Sequence, residues 1–156
     1  MKNILNKDLR LKIVDIIRNS KEGHIPSSFS IVDILDYIYG NVLKIDPANP
    51  DNSNRDYFIL SKGHAAAALF VVLNKYRFLT DEQLYSYGKY QSILGGHPDC
   101  TKVPGAEAST GSLGHGFPTS VGVAFGLKIR KMKNKVFTLV GDGECHEGTI
   151  WEATNI

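Results

Sequence analysis

The sequence predicts an α/β protein of three layers, a parallel sheet with helices on both faces, and two observations carry that prediction. The first is an order of strand, small polar turn and helix that occurs twice. Residues 57–60 run through Ser61-Lys62-Gly63-His64 into an apolar helix over 65–74, and residues 136–140 run through Gly141-Asp142-Gly143 into a helix over 147–155. The second is the make-up of the strands, YFIL and VFTLV, which are short apolar runs without Pro or Gly and suit burial on both faces. At 156 residues, 42% hydrophobic and 22% charged, the chain is long enough for one domain with a real core.

The other elements follow in order. Ile4, Leu5, Leu9, Leu11, Ile13, Val14, Ile16 and Ile17 recur near helical spacing, so an amphipathic packing helix is expected to end around Asn19. Residues 21–30 read as a loop broken by Gly23 and Pro26, with serines to cap a helix over 31–39. In that helix Ile31, Ile34, Leu35 and Ile38 should face the core, with Tyr37 and Tyr39 at its margins. Residues 45–56, rich in Pro, Asn and Asp, form a loop. Residues 80–102 read as irregular, and Tyr85, Tyr87 and Tyr90 are assigned to packing. Residues 103–116 are loop-like and end in Gly111-Ser112-Leu113-Gly114-His115-Gly116, which has neither the GK[ST] of a Walker loop nor GxGxxG spacing. A helix over 117–130 carries Gly122 and Gly126, which allow a neighbouring helix close approach, and ends in a basic cluster from Lys128 to Lys135 that complements its dipole.

Chemistry concentrates at the two polar turns. Asp142 offers oxygens to a hard cation such as Mg²⁺, and the flanking glycines allow a ligand close to the backbone. An Asp-capped turn explains the same tripeptide equally well. Its place at the carboxyl end of a parallel strand favours the ligand, and magnesium held by one or two carboxylates usually brings phosphate with it. His64, at a helix start, should have its imidazolium form disfavoured, which suits a neutral hydrogen-bonding role; a helix-initiating residue without a ligand is the alternative. His24 lies in a loop, where a structural or exposed role is commoner than a catalytic one. His97, between Gly95-Gly96 and Pro98, is held in extended or turn geometry compatible with pointing into a cleft.

Composition excludes several classes. A net charge of +2 is too small to argue for nucleic acid or an acidic membrane surface. No apolar run approaches a membrane span, and the N-terminus lacks a signal-peptide pattern. Cys100 and Cys145 form no CxxC pair, so free thiols in a reducing cytoplasm are expected.

Five blocks in order resemble the diphosphate-binding domain of transketolases: EGH at 22–24, NRDYFILSKGHA at 54–65, GGHP at 95–98, EASTGSLGHG at 107–116 and GDGECHEG at 141–148. The resemblance covers nearly the whole chain. It implies the thiamine diphosphate-binding fold, thiamine diphosphate and Mg²⁺ as cofactors, and transfer of a two-carbon ketol unit between sugar or sugar-phosphate substrates. It also implies roles for residues. Asp142 becomes a metal ligand and Gly143 a diphosphate contact through its N–H. His24, His64 and His97 become catalytic residues lining the channel above the cofactor's reactive carbon, with His64 also a cofactor contact. Gly114 and Gly116, with His115 between them, map to the loop that passes over the cofactor. Glu147 and Glu152 match acids near the family's subunit interface.

Departures from the pattern shape the expectation. The family's second side-chain metal ligand is a downstream Asn that residues 1–156 do not reach, since Asn155 is too near Asp142 to be that residue. The pyrimidine-binding domain with its activating Glu is also outside the sequence. Residues 1–156 are therefore read as a partial diphosphate-binding domain, an incomplete fold that needs partner chains, assembles as an oligomer and is inactive alone. Ile25-Pro26-Ser27-Ser28 replaces the glycine-rich turn commoner in transketolases, which keeps a deoxyxylulose-phosphate-synthase-like enzyme open as an alternative. A non-catalytic fragment or interaction module is the other.

Overall fold

The computed structural model describes residues 6–156. Its elements are α1 (Lys7–Ser20), α2 (Ile25–Phe29), α3 (Val32–Tyr37), β1 (Tyr57–Leu60), α4 (Ala66–Lys75), α5 (Asp81–Tyr85), α6 (Gly116–Ile129), β2 (Val136–Leu139) and α7 (Gly148–Thr154). Ile4 and Leu5, assigned by periodicity to the first helix, lie outside the described residues.

The two strands pair in parallel, Tyr57 opposite Val136 through Leu60 opposite Leu139. Their amino ends are pegged together by side chains. The buried Asp56 accepts the N–H of Lys44 at 3.0 Å and that of Lys135 at 2.8 Å, and Asn134 Nδ2 donates to the carbonyls of Ser53 and Arg55. Both carboxyl ends therefore emerge at the same edge, which is where the polar turns begin.

Helices cover both faces of the sheet. Phe58, Leu60 and Leu139 join a continuous core with α1, α3 and α4. Alternation points Ile59 the other way, where it is buried outside that core and α6 packs across both strands. Helix α4 is the centre of the larger layer. Ala66 to Asn74 are all buried, as expected of a helix apolar on every side, and burying each Leu, Val or Phe there stabilises by about 1.5–3 kcal/mol. Helix α1 lays Leu9, Ile13, Ile16 and Ile17 against it. It stops at Lys21, which adopts φ 60° and donates its N–H to Ile17 O, a left-handed C-cap.

Local differences from the sequence reading have physical causes. Pro26 starts α2 instead of breaking a loop, because a proline in the first turn of a helix lacks only an N–H that would be unpaired there. Ile34 and Tyr37 are exposed while Tyr39 is buried, since the buried stripe runs through Ile31, Val32, Leu35 and Tyr39, a helical spacing that leaves Ile34 and Tyr37 on the outer side; a π-helical turn follows over Ile38–Val42. Within the stretch expected to be irregular, α5 is held by a reciprocal capping box between Thr80 and Gln83. Leu11 is half exposed, whereas Tyr87 is a core residue and Tyr90 almost wholly exposed.

Candidate functional site

Past β1 the chain turns sharply inward. Ser61 is fully buried and Gly63 packs against the backbone of Thr110 and Gly111, where a Cβ would come within 2.6 Å. Thr110 Oγ1 donates to Leu60 O at 2.7 Å and fastens the 103–116 loop to the end of the strand. This close docking exists because residue 63 has no side chain. It sets Lys62 and His64 on the wall of a cleft of about 420 Å³.

Past β2, Gly141 leads into a short helical turn over Gly143–His146 and then α7. Asp142 and Gly143 are exposed at the floor of the same cleft, and Asp142 makes no side-chain capping bond. The second carboxylate there, Glu144, is buried and already accepts three hydrogen bonds. The opposite rim is α2 with its C-cap, which contribute Ser27 and Ser30.

The cleft sets the Lys62 ammonium and the His64 ring near two carboxylates, those of Asp142 and Glu144. Burial pushes the Lys62 ammonium down, against the opposing pull of Asp142 and Glu144. Among the described residues its hydrogen-bond partner is Ser30 Oγ at 3.2 Å, a neutral hydroxyl. The Ser27 hydroxyl is buried and has no partner among the described residues. His64 is also held below its ordinary value, first by burial and then by the charges of Lys62, His24 and His97, with Glu144 opposing. The direction agrees with a neutral imidazole, although desolvation produces it rather than a helix end.

His24 and His64 come together, their rings in edge-to-face contact with centroids 5.5 Å apart. His97 lies beyond the 110–116 loop, its ring against Gly111, and lines an adjoining hollow with Ser109, Ser112 and His115. His64 and Asp142 face each other across one cleft. Gly114 and Gly116 are buried beneath its rim. Gly114, at φ +78°, spends its N–H on Glu144 and its carbonyl on Thr149, and Gly116 lies against Ser61. His115 is exposed, with Nδ1 3.2 Å from Leu113 O.

Sequence reasoning misses Lys62, Ser27, Ser30 and Glu144. Lys62 has a usable signal, a cation placed two residues past the end of a buried apolar strand. The serines look like caps as long as α2 is read as a loop. Among the described residues no group of three His, Cys, Asp or Glu side chains is arranged to hold a metal ion. A magnesium ion needs no such group, since it keeps several waters and takes one or two carboxylates.

Residues 1–156 match the family described as transketolase, thiamine diphosphate binding domain. The chain is 40% identical over 144 residues to one of the named subunits of the apulose-4-phosphate transketolase of Phocaeicola vulgatus, covering 92% of this chain and 51% of that protein. It is 39% identical over 131 residues to the 6-deoxy-6-sulfo-D-fructose transketolase subunit SqwG of a Clostridium species, covering 84% and 48%. The crystal structure of transketolase from Campylobacter jejuni superposes with a TM-score of 0.80 at 31% identity, over 93% of this chain and 24% of that one. The chain thus spans about half the length of the two transketolase subunits it matches.

Proposed function

The chain belongs to the transketolase family through its thiamine diphosphate-binding domain, and from that premise we propose that it is the N-terminal part of a split transketolase that binds thiamine diphosphate with Mg²⁺ and is completed by a partner chain. The observation that carries this reading is the cleft at the carboxyl edge of the sheet. It sets an uncapped Asp142, a desolvated Lys62 and an unpartnered Ser27 hydroxyl around one space.

The residues fit the cofactor. Of the two carboxylates lining the cleft, Glu144 is occupied by protein donors, which leaves Asp142 for the cation. Lys62, Ser27 and the backbone N–H of Gly143 supply donors for a diphosphate, and an anion there would raise Lys62 back towards its ordinary value. Bound thiamine diphosphate supplies a carbon nucleophile for the ketol unit. His64, kept neutral by its surroundings, offers one nitrogen as acceptor and the other as donor to a sugar hydroxyl, and His24 at 5.5 Å extends the same surface. His97 is assigned to the distal end of the substrate channel. Gly114 and Gly116 shape the loop over the cofactor. The substrates are of the sugar or sugar-phosphate class.

Exposed apolar surface supports the partner chain. Phe125 and Ile129 on α6, with Trp151 and Ile156 at and beyond α7, are half to largely exposed. Helix α6 is apolar almost all round, a pattern suited to burial in an assembly. Strand β2 is only partly covered and has one free edge among the described residues, as expected if residues 1–156 are part of a larger domain. Glu147 and Glu152, both exposed on this side, are assigned to the subunit interface. No helix among the described residues is long and apolar enough to cross a membrane, and both cysteines are free and exposed, which suits a reducing cytoplasm.

Calorimetric titration with thiamine diphosphate and Mg²⁺, followed by a ketol-transfer assay, tests the proposal. Weak binding by the chain alone, with tight binding and turnover when a chain carrying the pyrimidine-binding domain is added, is the expected result. Turnover by the chain alone, or none in the mixture, would overturn it.

A further inference from the structure

Three turns surround the cleft, and one buried side chain touches all of them. Glu144 is 2% exposed. Its Oε1 accepts Ser61 Oγ at 2.6 Å and the Gly114 N–H at 2.9 Å, and its Oε2 accepts the Gly141 N–H at 3.0 Å. Ser61 follows β1 and precedes Lys62, Gly114 belongs to the loop leading into α6, and Gly141 precedes Asp142. Ser61 carries the link one step further, since its oxygen accepts the Phe117 N–H at 2.9 Å in the first turn of α6.

Burying a carboxylate is costly unless donors meet it, and charge-assisted hydrogen bonds are about twice as strong as neutral ones. All three partners here are donors. A carboxylate, which only accepts, satisfies them together, whereas an amide would turn its NH₂ towards at least one N–H or O–H. We propose that Glu144 is a positioning residue for the cofactor site, a buried clasp that fixes Lys62, Asp142 and the Gly114 loop relative to one another. This rests on the cofactor reading of the cleft. Glu144 itself need not touch the cofactor, because its oxygens face the protein.

The clasp is tested in the chain assembled with its partner, comparing Glu144→Gln, Ser61→Ala and Asp142→Asn. Hydrogen exchange without cofactor reads the clasp, and the dissociation constant for thiamine diphosphate with Mg²⁺, set against kcat at saturating cofactor, reads its effect. For Glu144→Gln, exchange over segments 110–117 and 139–146 should quicken roughly tenfold, the size of one lost charge-assisted hydrogen bond. The dissociation constant should rise about 10–100-fold, as for outer-shell partners of bound ions, with a smaller change in kcat. Ser61→Ala, which keeps the carboxylate, should shift the same two readouts less and covers the case in which Glu144→Gln does not fold. Unchanged exchange in both variants, or quickened exchange spread evenly over the whole chain, would overturn the proposal. Asp142→Asn should weaken cofactor binding without altering exchange. If it leaves binding intact, the cofactor reading fails, while the exchange data still decide whether Glu144 is a clasp.

Discussion

His24 and His64 stand edge to face, their ring planes 88° apart and their centroids 5.5 Å apart. Burial disfavours the imidazolium form of His64, and the charges of Lys62 and of the nearby His24 add to that. His64 is therefore expected to titrate below the ordinary 6.5, and Lys62→Gln to move it back up by removing a like charge. The effect on stability follows from the lowered value. The folded state holds fewer protons than the unfolded one, so His64's contribution is complete above about 6.5 and is lost as the pH falls towards its folded pKa. NMR titration of the His64 imidazole checks the direction, and urea unfolding across the same window checks the loss, which should shrink in His64→Gln. A His64 imidazole titrating at or above 6.5 would contradict the geometry.

Asp142→Asn should leave the fold within about 0.5 kcal/mol of the parent, because the side chain is exposed and uncapped. Cofactor and magnesium binding in the assembled protein should fall by at least about tenfold, since an amide offers the cation a weaker ligand than a carboxylate. Thermal unfolding and calorimetry separate the two effects, and an unchanged dissociation constant would remove Asp142 from the metal site.

Glycines in the turns should divide into two kinds. Gly63→Ala forces a methyl to within 2.6 Å of the Thr110 carbonyl, backbone that cannot swing away, and should cost about 1–3 kcal/mol in denaturant unfolding. Gly143→Ala meets nothing within 4 Å and should fold normally, with its loss confined to cofactor affinity. Equal stability losses in the two variants would show that the cleft floor is packed by protein.

These contrasts show what the chain discloses before it is folded. Both strands are readable because uninterrupted runs such as Tyr57 to Leu60 have few alternatives, and the turns after them mark the edge where the site lies. Helix α5 is readable in principle and easily missed, as Thr80-x-x-Gln83 is a capping-box pattern. The exposure of Tyr37 and the burial of Tyr39 are not readable, because two stripes, Ile31-Ile34-Leu35-Ile38 and Ile31-Val32-Leu35-Tyr39, both have helical spacing and only packing chooses the second. Glu144 is unreadable for another reason. An acid beside glycines in a turn looks solvated, and only the arrival of Ser61 and Gly114, 83 and 30 residues away, makes it a buried acceptor.

Trp151 is the only tryptophan in the sequence and is 65% exposed. If the α6 and α7 surface is where the partner docks, its fluorescence should shift to the blue and resist iodide quenching on assembly. Trp151→Ala and Phe125→Ala should each weaken association by about 2 kcal/mol or more if they are anchors of that interface. An emission spectrum indifferent to the partner would place the interface elsewhere.

The pegging of the strands by Asp56 and Asn134 at one end has a consequence for how this gene can vary in length. Between the pegs and the polar turns each strand is a ruler of fixed count. One inserted codon there would displace Asp142 from Lys62 by about 3.3 Å and reverse every later side chain of that strand between core and solvent. Upstream of the pegs, the loop over 46–52 can lengthen for about 0.6 kcal/mol per doubling. A scan of single-codon insertions, read by soluble yield, should therefore find tolerance ending abruptly at Asp56 and Asn134 and returning only past the cleft.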